Sequence, residues 1–196
     1  MIPRVLHLSV LAVCISGIVI CTGCKHSKKP VALSQYKLNT VAEEILAHAD
    51  KVEVFRLADF HEGENRTAAQ QEAMLNQKYG TVRDYTLISK IVTKDSRFAK
   101  KVYVATRKLT ANGFLASCFD PGVGFRAWHG KKKVELFVCF HCAGAELVTF
   151  DDAGKELTRE RPDLGVAWRP FLELSREAFP EDKILQGIPL DPKAHK

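Results

Sequence analysis

The sequence lacks a complete set of residues for three common catalytic or cofactor-binding motifs. It has no G-x-S-x-G segment, which the nucleophile elbow of serine hydrolases requires. His61 and Glu62 begin an H-E-x-x-H motif, but Asn65 stands where the second zinc-binding histidine belongs. Gly122 and Gly124 lack the third glycine and the following helix of a dinucleotide-binding loop. These absences argue against the three assignments and favour a non-enzymatic role.

The sequence also lacks a concentration of charge of one sign. Its 29 basic and 23 acidic residues give a net charge of +6, and its basic runs are short, such as those at positions 28–29 and 131–133. Proteins that bind nucleic acids usually gather positive charge on one face or along a groove. Dispersed charge is typical of a solvated surface, so we expect no nucleic-acid partner.

A long uncharged apolar run occurs at the N-terminus, from Leu8 to Ile20, and Arg4 precedes it. The segment resembles a bacterial lipoprotein signal, in which an aliphatic residue, a small residue and Gly or Ala precede a modified cysteine. Thr22, Gly23 and Cys24 match that pattern, whereas Cys21 departs from the usual leucine. The resemblance implies that residues 1–23 are a signal peptide and that Cys24 is lipidated. The protein would then be held in a bilayer of the cell envelope and face the periplasm or the exterior.

An uncleaved anchor helix is the alternative for this segment. The stretch from Val5 to Gly23 is nearly as long as the roughly 20 residues that span a bilayer. Lys25, Lys28 and Lys29 outweigh Arg4, and positive charge favours the cytoplasmic side. An uncleaved helix would therefore leave the domain in the cytoplasm.

Beyond the leader, the patterns predict a lipid-anchored tether at 24–39, one domain at 40–188 and a flexible tail at 189–196. Thr40 and Glu43 have the spacing of a capping box at the start of a helix. Helical periodicity is found at 41–49, 67–78, 96–109 and 170–178, and strand patterns at 52–57, 85–92, 115–119, 123–129, 133–140 and 146–150. Because the links after residue 114 are short, they favour antiparallel pairing. We predict an α+β fold with an antiparallel sheet of about five strands and three or four helices packed mainly on one face.

Three cysteines remain after the leader and Cys24, namely Cys118, Cys139 and Cys142. An odd number in an exported protein leaves at least one thiol without an intrachain disulfide, unless the three bind a metal. One alternative is a disulfide from Cys118 to Cys139 or Cys142 with one thiol left over. Another is a zinc site in which His141 or His129 supplies a fourth ligand.

A third alternative is a thiol–disulfide oxidoreductase that uses Cys139 and Cys142, which form a C-x-x-C motif. Thioredoxin-type pairs lie at a helix N-terminus, where the helix dipole lowers the thiol pKa. A strand pattern follows Cys142 here. Ala143 stands where covalent haem c requires histidine, so haem c is excluded.

The segments Cys118-Phe119-Asp120-Pro121, Gly124-Phe125-Arg126 and Val138-Cys139-Phe140-His141-Cys142 resemble a C-F-x-P…G-x-R…C-F-x-C pattern of small, uncharacterised bacterial proteins, many of them exported. The ending Glu177-Ala178-Phe179-Pro180 accompanies that pattern. The resemblance implies that the three cysteines form one spatial unit, and it implies no activity.

We expect a membrane-anchored, non-enzymatic binding or accessory domain, with zinc binding and thiol–disulfide exchange as the alternatives. Arg126 and Trp128 share one face of a predicted strand, opposite Phe125 and Ala127. Arg126 could bind an anion there, although a surface arginine is the simpler interpretation.

Overall fold

The computed structural model describes residues 34–58, 66–111 and 119–191. They form a single α+β domain with a seven-stranded antiparallel sheet that curls into a half-barrel, in the order β2-β3-β1-β4-β5-β6-β7. The strands are β1 (Lys51–Leu57), β2 (Thr81–Val82), β3 (Tyr85–Thr93), β4 (Val123–His129), β5 (Lys132–Cys139), β6 (Gly144–Phe150) and β7 (Glu156–Glu160). The helices are α1 (Thr40–Ala47), α2 (Ala68–Leu75), α3 (Ser96–Thr106), α4 (Trp168–Ala178) and α5 (Lys183–Gly187), with a 3-10 turn at Gly165–Ala167 before α4.

The predicted α+β class, single domain and antiparallel sheet are confirmed, but the sheet has seven strands where we predicted about five. The two additional strands are β2, which has two residues, and β7. Leu157 is the only large apolar residue of β7, and its side chain is 45% exposed. An edge strand that buries little apolar surface gives no hydrophobic alternation, so the sequence pattern did not reveal it.

Several predicted features lie outside the described residues: the signal peptide 1–23, Cys24, most of the tether, and Cys118. Among the helices that the structure does describe, none has the length and apolar character needed to cross a bilayer.

The domain is longer than the predicted range 40–188 at both ends. Tyr36 N donates to Leu109 O at 2.9 Å, and Leu38 is buried in the core. Residues 34–39, which we predicted to be part of the tether, therefore belong to the domain. At the other end, Trp168 Nε1 donates to Pro189 O at 3.1 Å, so the domain includes Pro189.

The predicted capping box at Thr40 is not the cap that forms. Asn39 is the N-cap of α1, and its side chain accepts a hydrogen bond from Ala42 N at 2.8 Å. Asparagine is among the most favourable N-cap residues, so it takes this position and Thr40 becomes the first helical residue. A reciprocal capping box forms at α2, between Thr67 and Gln70.

The main hydrophobic core lies between one face of the sheet and the helices α1, α3 and α4. Helix α4 turns Trp168, Phe171 and Leu172 toward the sheet, and all three are buried. The ring of Phe171 lies 5.6 Å from that of Phe125, and the ring of Trp168 meets that of Phe140 edge-on at 5.3 Å. These contacts fix α4 across the middle strands and leave the opposite face of the sheet free of α1, α3 and α4.

The opposite face carries a smaller apolar cluster that includes Phe55 and Phe137. Gly124 lies directly between these two residues in the sheet, paired with each of them. A Cβ at position 124 would lie 3.2 Å from an atom of the Phe137 ring and 3.3 Å from one of the Phe55 ring. The absence of a side chain on Gly124 therefore lets the two rings pack on this face.

We expect Gly124→Val to destabilise the domain by about 1–3 kcal/mol, because added atoms force a well-packed core out of its preferred rotamers. Urea unfolding measures this free energy. Gly187→Val is the matched control, because a Cβ there would meet no atom within 4 Å. Equal stability of the two variants would contradict this account of Gly124.

Candidate functional site

Cys139 and Cys142 are joined to each other by a disulfide. Cys139 is the last residue of β5 and is fully buried, whereas Cys142 lies in the turn before β6 and is partly exposed. From the sequence, we left open a bond from either of them to Cys118 and an exchange pair formed by Cys139 and Cys142 themselves. Cys118 lies outside the described residues, but Phe119, the next residue, packs against the apolar cluster that contains Phe137.

The two candidate histidines lie at opposite ends of β5. His129 pairs with Lys132, the first residue of β5, and its ring lies 5.8 Å from that of His48. Seven residue steps separate Lys132 from Cys139, which corresponds to about 23 Å along a strand. His129 therefore cannot share a metal ion with Cys139 or Cys142. His141 is exposed in the turn between the two cysteines.

The described residues do not fit the predicted zinc site. A cysteine binds zinc as a thiolate, and the sulfurs of Cys139 and Cys142 are bonded to each other. Within residues 34–58, 66–111 and 119–191, no group of three or more His, Cys, Asp or Glu residues could hold a metal ion.

A ladder of charged side chains crosses the face of the sheet opposite the helices. Glu53 on β1, Arg126 on β4 and Glu135 on β5 are paired directly across the three strands. The guanidinium of Arg126 bonds both carboxylates, at 3.0 Å to Glu53 and 2.8 Å to Glu135. It also lies 4.9 Å from the centroid of the Phe55 ring. Arg126, for which a surface position was the simpler interpretation of the sequence, therefore links β1, β4 and β5.

Arg83, in the turn between β2 and β3, joins the two sides of the curled sheet. Its guanidinium bonds Glu135 on β5 at 3.1 Å, Glu146 on β6 at 3.0 Å and Glu156 on β7 at 3.2 Å. In a flat sheet, β3 and β6 would be about 19 Å apart at 4.8 Å per strand. One side chain can reach these carboxylates only because the sheet curls toward this face, which we call the concave face.

The cations of the concave face change the acidity of its carboxyl groups. Burial raises the pKa of Glu135, but Arg126 and Lys133 more than offset this effect, so its pKa is below the ordinary value. Burial also raises the pKa of Glu53, but Lys51, Lys90 and Arg126 outweigh this effect, so its pKa is lowered as well. Both side chains are therefore ionised acceptors at neutral pH, although less than a tenth of each residue is exposed.

One end of the concave face is open and rich in lysine. Lys51, Lys94, Lys131 and Lys133 line a cavity of about 660 Å³ around Trp128, and we call this group of five residues the lysine end. The residues meet there because neighbouring strands run in opposite directions: β1 begins, β3 ends and the β4–β5 hairpin turns at the same edge.

The lysine end carries more positive than negative charge. Lys51 and Lys133 are paired with Glu53 and Glu135, whereas no carboxylate among the described residues pairs with Lys94 or Lys131. Two aspartates also line the cavity, and one of them, Asp50, accepts a hydrogen bond from Gly130 N at 2.9 Å.

Trp128 forms part of the cavity wall. The Nζ atoms of Lys51 and Lys133 lie 4.4 and 5.6 Å from the centroid of its ring. Its Nε1 is buried and has no acceptor among the described residues. An unpaired buried donor is costly, and a bound acceptor could remove that cost after a small movement of the ring.

Lys133 connects the lysine end to a second cavity of about 420 Å³ nearer the middle of the concave face. Arg83, Arg126 and Arg159 line this second cavity, together with Glu135 and Glu156. Its arginines are already bonded to carboxylates, so the cavity continues the charged surface without adding free cations.

A larger cavity of about 820 Å³ lies between α2, β3 and the segment that links α4 to α5. Beneath it, Arg56 and Asp182 form a buried ion pair at 2.8 Å, and Gln70 donates to the same carboxylate at 2.9 Å. Residues 59–65, which precede α2, lie outside the described part of the chain. We therefore place no site in this cavity.

The lysine end could not be predicted from the sequence, because Lys51, Lys94 and the run at 131–133 are far apart along the chain. Only the Lys131–Lys133 run and the proximity of Arg126 to Trp128 indicated it, and both were interpreted as ordinary surface features. Pairing of β1, β3, β4 and β5 was needed to bring Lys51 and Lys94 to the same edge.

The chain matches no protein-family model, no curated protein and no solved structure.

We expect the free energy of unfolding to decrease as the pH falls below about 4.3, the ordinary glutamate pKa. Glu53 and Glu135 have lower pKa values in the folded protein, so their stabilisation is present above the unfolded pKa and is lost as the pH falls through the folded pKa. Urea unfolding between pH 3 and pH 7 measures this dependence.

The Glu135→Gln variant should be less stable than the wild type at pH 7, because Arg83, Arg126 and Lys133 lose their carboxylate partner. Its free energy of unfolding should also change less with pH in the acid range. Glu72→Gln on the exposed side of α2 is the control and should follow the wild-type curve. An unchanged acid slope in Glu135→Gln would contradict the role assigned to this carboxylate.

Proposed function

We propose that this protein is a lipid-anchored, non-enzymatic binding domain of the cell envelope, and that the lysine end binds a ligand carrying a phosphate group. The observation that carries the proposal is the cavity of about 660 Å³ in which four lysines surround Trp128. The anchor rests on the resemblance of the segment ending at Cys24 to a lipoprotein signal.

The type of cation at the site favours phosphate over carboxylate. Arginine binds carboxylates through its planar fork, and the arginines of the concave face already bond glutamates in this way. Within the described residues, Lys94 and Lys131 are the two lysines of the lysine end that have no carboxylate partner. Lysine acts as a compact point charge and is a common phosphate ligand in proteins.

The surroundings of the lysines support recognition of a multiply charged ligand. The lysines approach the cavity from β1, from the end of β3 and from the β4–β5 hairpin, so a ligand would be contacted from several directions. Lys51 and Lys133 also bond the glutamates of the ladder, which fixes their ammonium groups beside Trp128. Lys94 and Lys131 are exposed and can turn toward an incoming anion.

We expect the full chain in neutral detergent to bind tripolyphosphate, used as a probe, in isothermal titration calorimetry at low salt. The Lys94→Ala/Lys131→Ala double variant should bind about two- to thirtyfold more weakly, since each exposed charge contributes roughly 0.2–1 kcal/mol. The matched control is Lys100→Ala/Lys108→Ala, which removes two exposed lysines from α3 and its C-terminal end and keeps the same net charge.

Tryptophan fluorescence provides a second measurement, because Trp168 is buried in the core while Trp128 lies at the site. Tripolyphosphate should change the emission of the wild type and leave that of Trp128→Phe unchanged. Absence of binding at millimolar probe, or equal weakening in the two double variants, would refute the proposal. Displacement of the probe by short-chain phosphatidylglycerol but not by glycerol phosphate would identify a lipid headgroup as the source of the phosphate.

For the anchor, we expect the chain purified from bacterial membranes to have the mass of residues 24–196 plus lipid. Cys24→Ala should abolish both cleavage and lipidation, because the modified residue is lost, whereas Cys21→Ala should retain both. Intact-mass spectrometry distinguishes these products. A wild-type mass equal to the full 196 residues would support the uncleaved anchor helix instead.

A further inference from the structure

The Cys139–Cys142 disulfide closes one of the smallest loops that a protein disulfide can close, with a sequence separation of three. Stabilisation by a disulfide decreases as the closed loop becomes shorter. Here β5 and β6 are already paired from Lys133↔Phe150 to Cys139↔Gly144, so the backbone itself closes the loop.

The turn between the two cysteines is also held from outside. Leu164 N donates to Ala143 O at 2.9 Å, and Ala145 N donates to Pro162 O at 2.9 Å. These bonds attach the residues that directly follow Cys142 to the segment before α4. The fold around the cysteines therefore does not depend on the disulfide, which leaves the bond free to open without unfolding the domain.

The two sulfurs differ in access and in hydrogen bonding. Cys139 is fully buried, whereas Cys142 is partly exposed. The backbone N–H of Cys142 donates to Cys139 Sγ at 3.2 Å. A hydrogen bond of this kind favours the thiolate that forms on Cys139 when the disulfide opens.

We infer that the Cys139–Cys142 disulfide is a thiol–disulfide exchange site at which a small external thiol attacks Cys142. The incoming thiolate forms a bond to Cys142 Sγ, the Cys139–Cys142 bond breaks, and its electron pair passes to Cys139 Sγ. A second thiolate then attacks the external sulfur of the mixed disulfide and releases Cys142 as a thiolate. In total, two small thiols are oxidised to their disulfide and the protein disulfide is reduced to two thiols.

The position of the pair distinguishes it from thioredoxin-type sites. Cys139 ends a strand and Cys142 precedes another, so neither cysteine is part of the first turn of a helix. The backbone N–H of Cys142 donates to Cys139 Sγ and stabilises the negative charge on this sulfur as it leaves. Cys139 is fully buried and Cys142 is partly exposed, so a small thiol reaches Cys142 and not Cys139.

Two single variants of the full chain test the asymmetry. In Cys139→Ser the exposed Cys142 thiol remains, and in Cys142→Ser the buried Cys139 thiol remains. We expect glutathione disulfide to form a mixed disulfide with Cys142 at least tenfold faster than with Cys139, measured by acid quenching and peptide mass mapping, which reports Cys118 separately. Thermal unfolding followed by circular dichroism checks that both variants are folded. Equal rates, or a faster reaction at Cys139, would overturn the inference.

The wild-type disulfide provides an independent test that does not depend on either variant. Glutathione should reduce it at a rate that stays constant, within twofold, when urea is added below the unfolding transition. A purely structural disulfide would instead be reduced through unfolding, so its rate would rise steeply with urea in parallel with the unfolding rate. That result would overturn the inference without affecting the proposed phosphate site.

Discussion

The guanidinium of Arg83 contacts carboxylates on β5, β6 and β7 from the turn between β2 and β3, and the shape of the sheet depends on these contacts. Arg83 adopts a positive φ of 54°, a conformation that costs a non-glycine residue roughly 1–3 kcal/mol. The bonds from Arg83 to Glu135 and Glu146 offset this cost. Both carboxylates are buried, and a buried negative charge is costly without a cation beside it. The curl of the sheet brings Arg83 within reach of these carboxylates, and its bonds to them hold the curl in place.

The concave face is built differently from the face that carries α1, α3 and α4. On the helix-bearing face, apolar side chains such as Phe125 and Phe171 interlock and exclude water. On the concave face, Glu53, Arg126 and Glu135 alternate across adjacent strands, and Phe55 and Phe137 fill the space that Gly124 leaves open. A sheet stabilised in this way does not need a covering helix on its second face, and the lysine end of that face stays accessible.

The two proposed sites use different parts of the same strands. The lysine end lies where β4 turns into β5, and the disulfide lies where β5 turns into β6. About 23 Å of β5 separates the two turns, so a ligand at one would not contact the other. Exchange at Cys142 and binding beside Trp128 are therefore independent in structure, and each can be lost without the other.

The sequence by itself determined the α+β class, the antiparallel pairing after residue 114, most of the strands and the amphipathic helices, because those features depend on local periodicity and short connections. It also placed Arg126 and Trp128 together on one strand face, since alternation in a strand is strictly local. Tertiary structure alone decided which cysteines pair, since Cys139 and Cys142 meet through the geometry of one turn. Only the tertiary structure brings Arg83 into contact with Glu146. It also brings Lys51, Lys94 and Lys131 to the same edge of the sheet. The contacts of Arg83 and the assembly of the lysine end depend on the order and curl of the strands, which act between residues distant in the chain and leave no periodic pattern in the sequence.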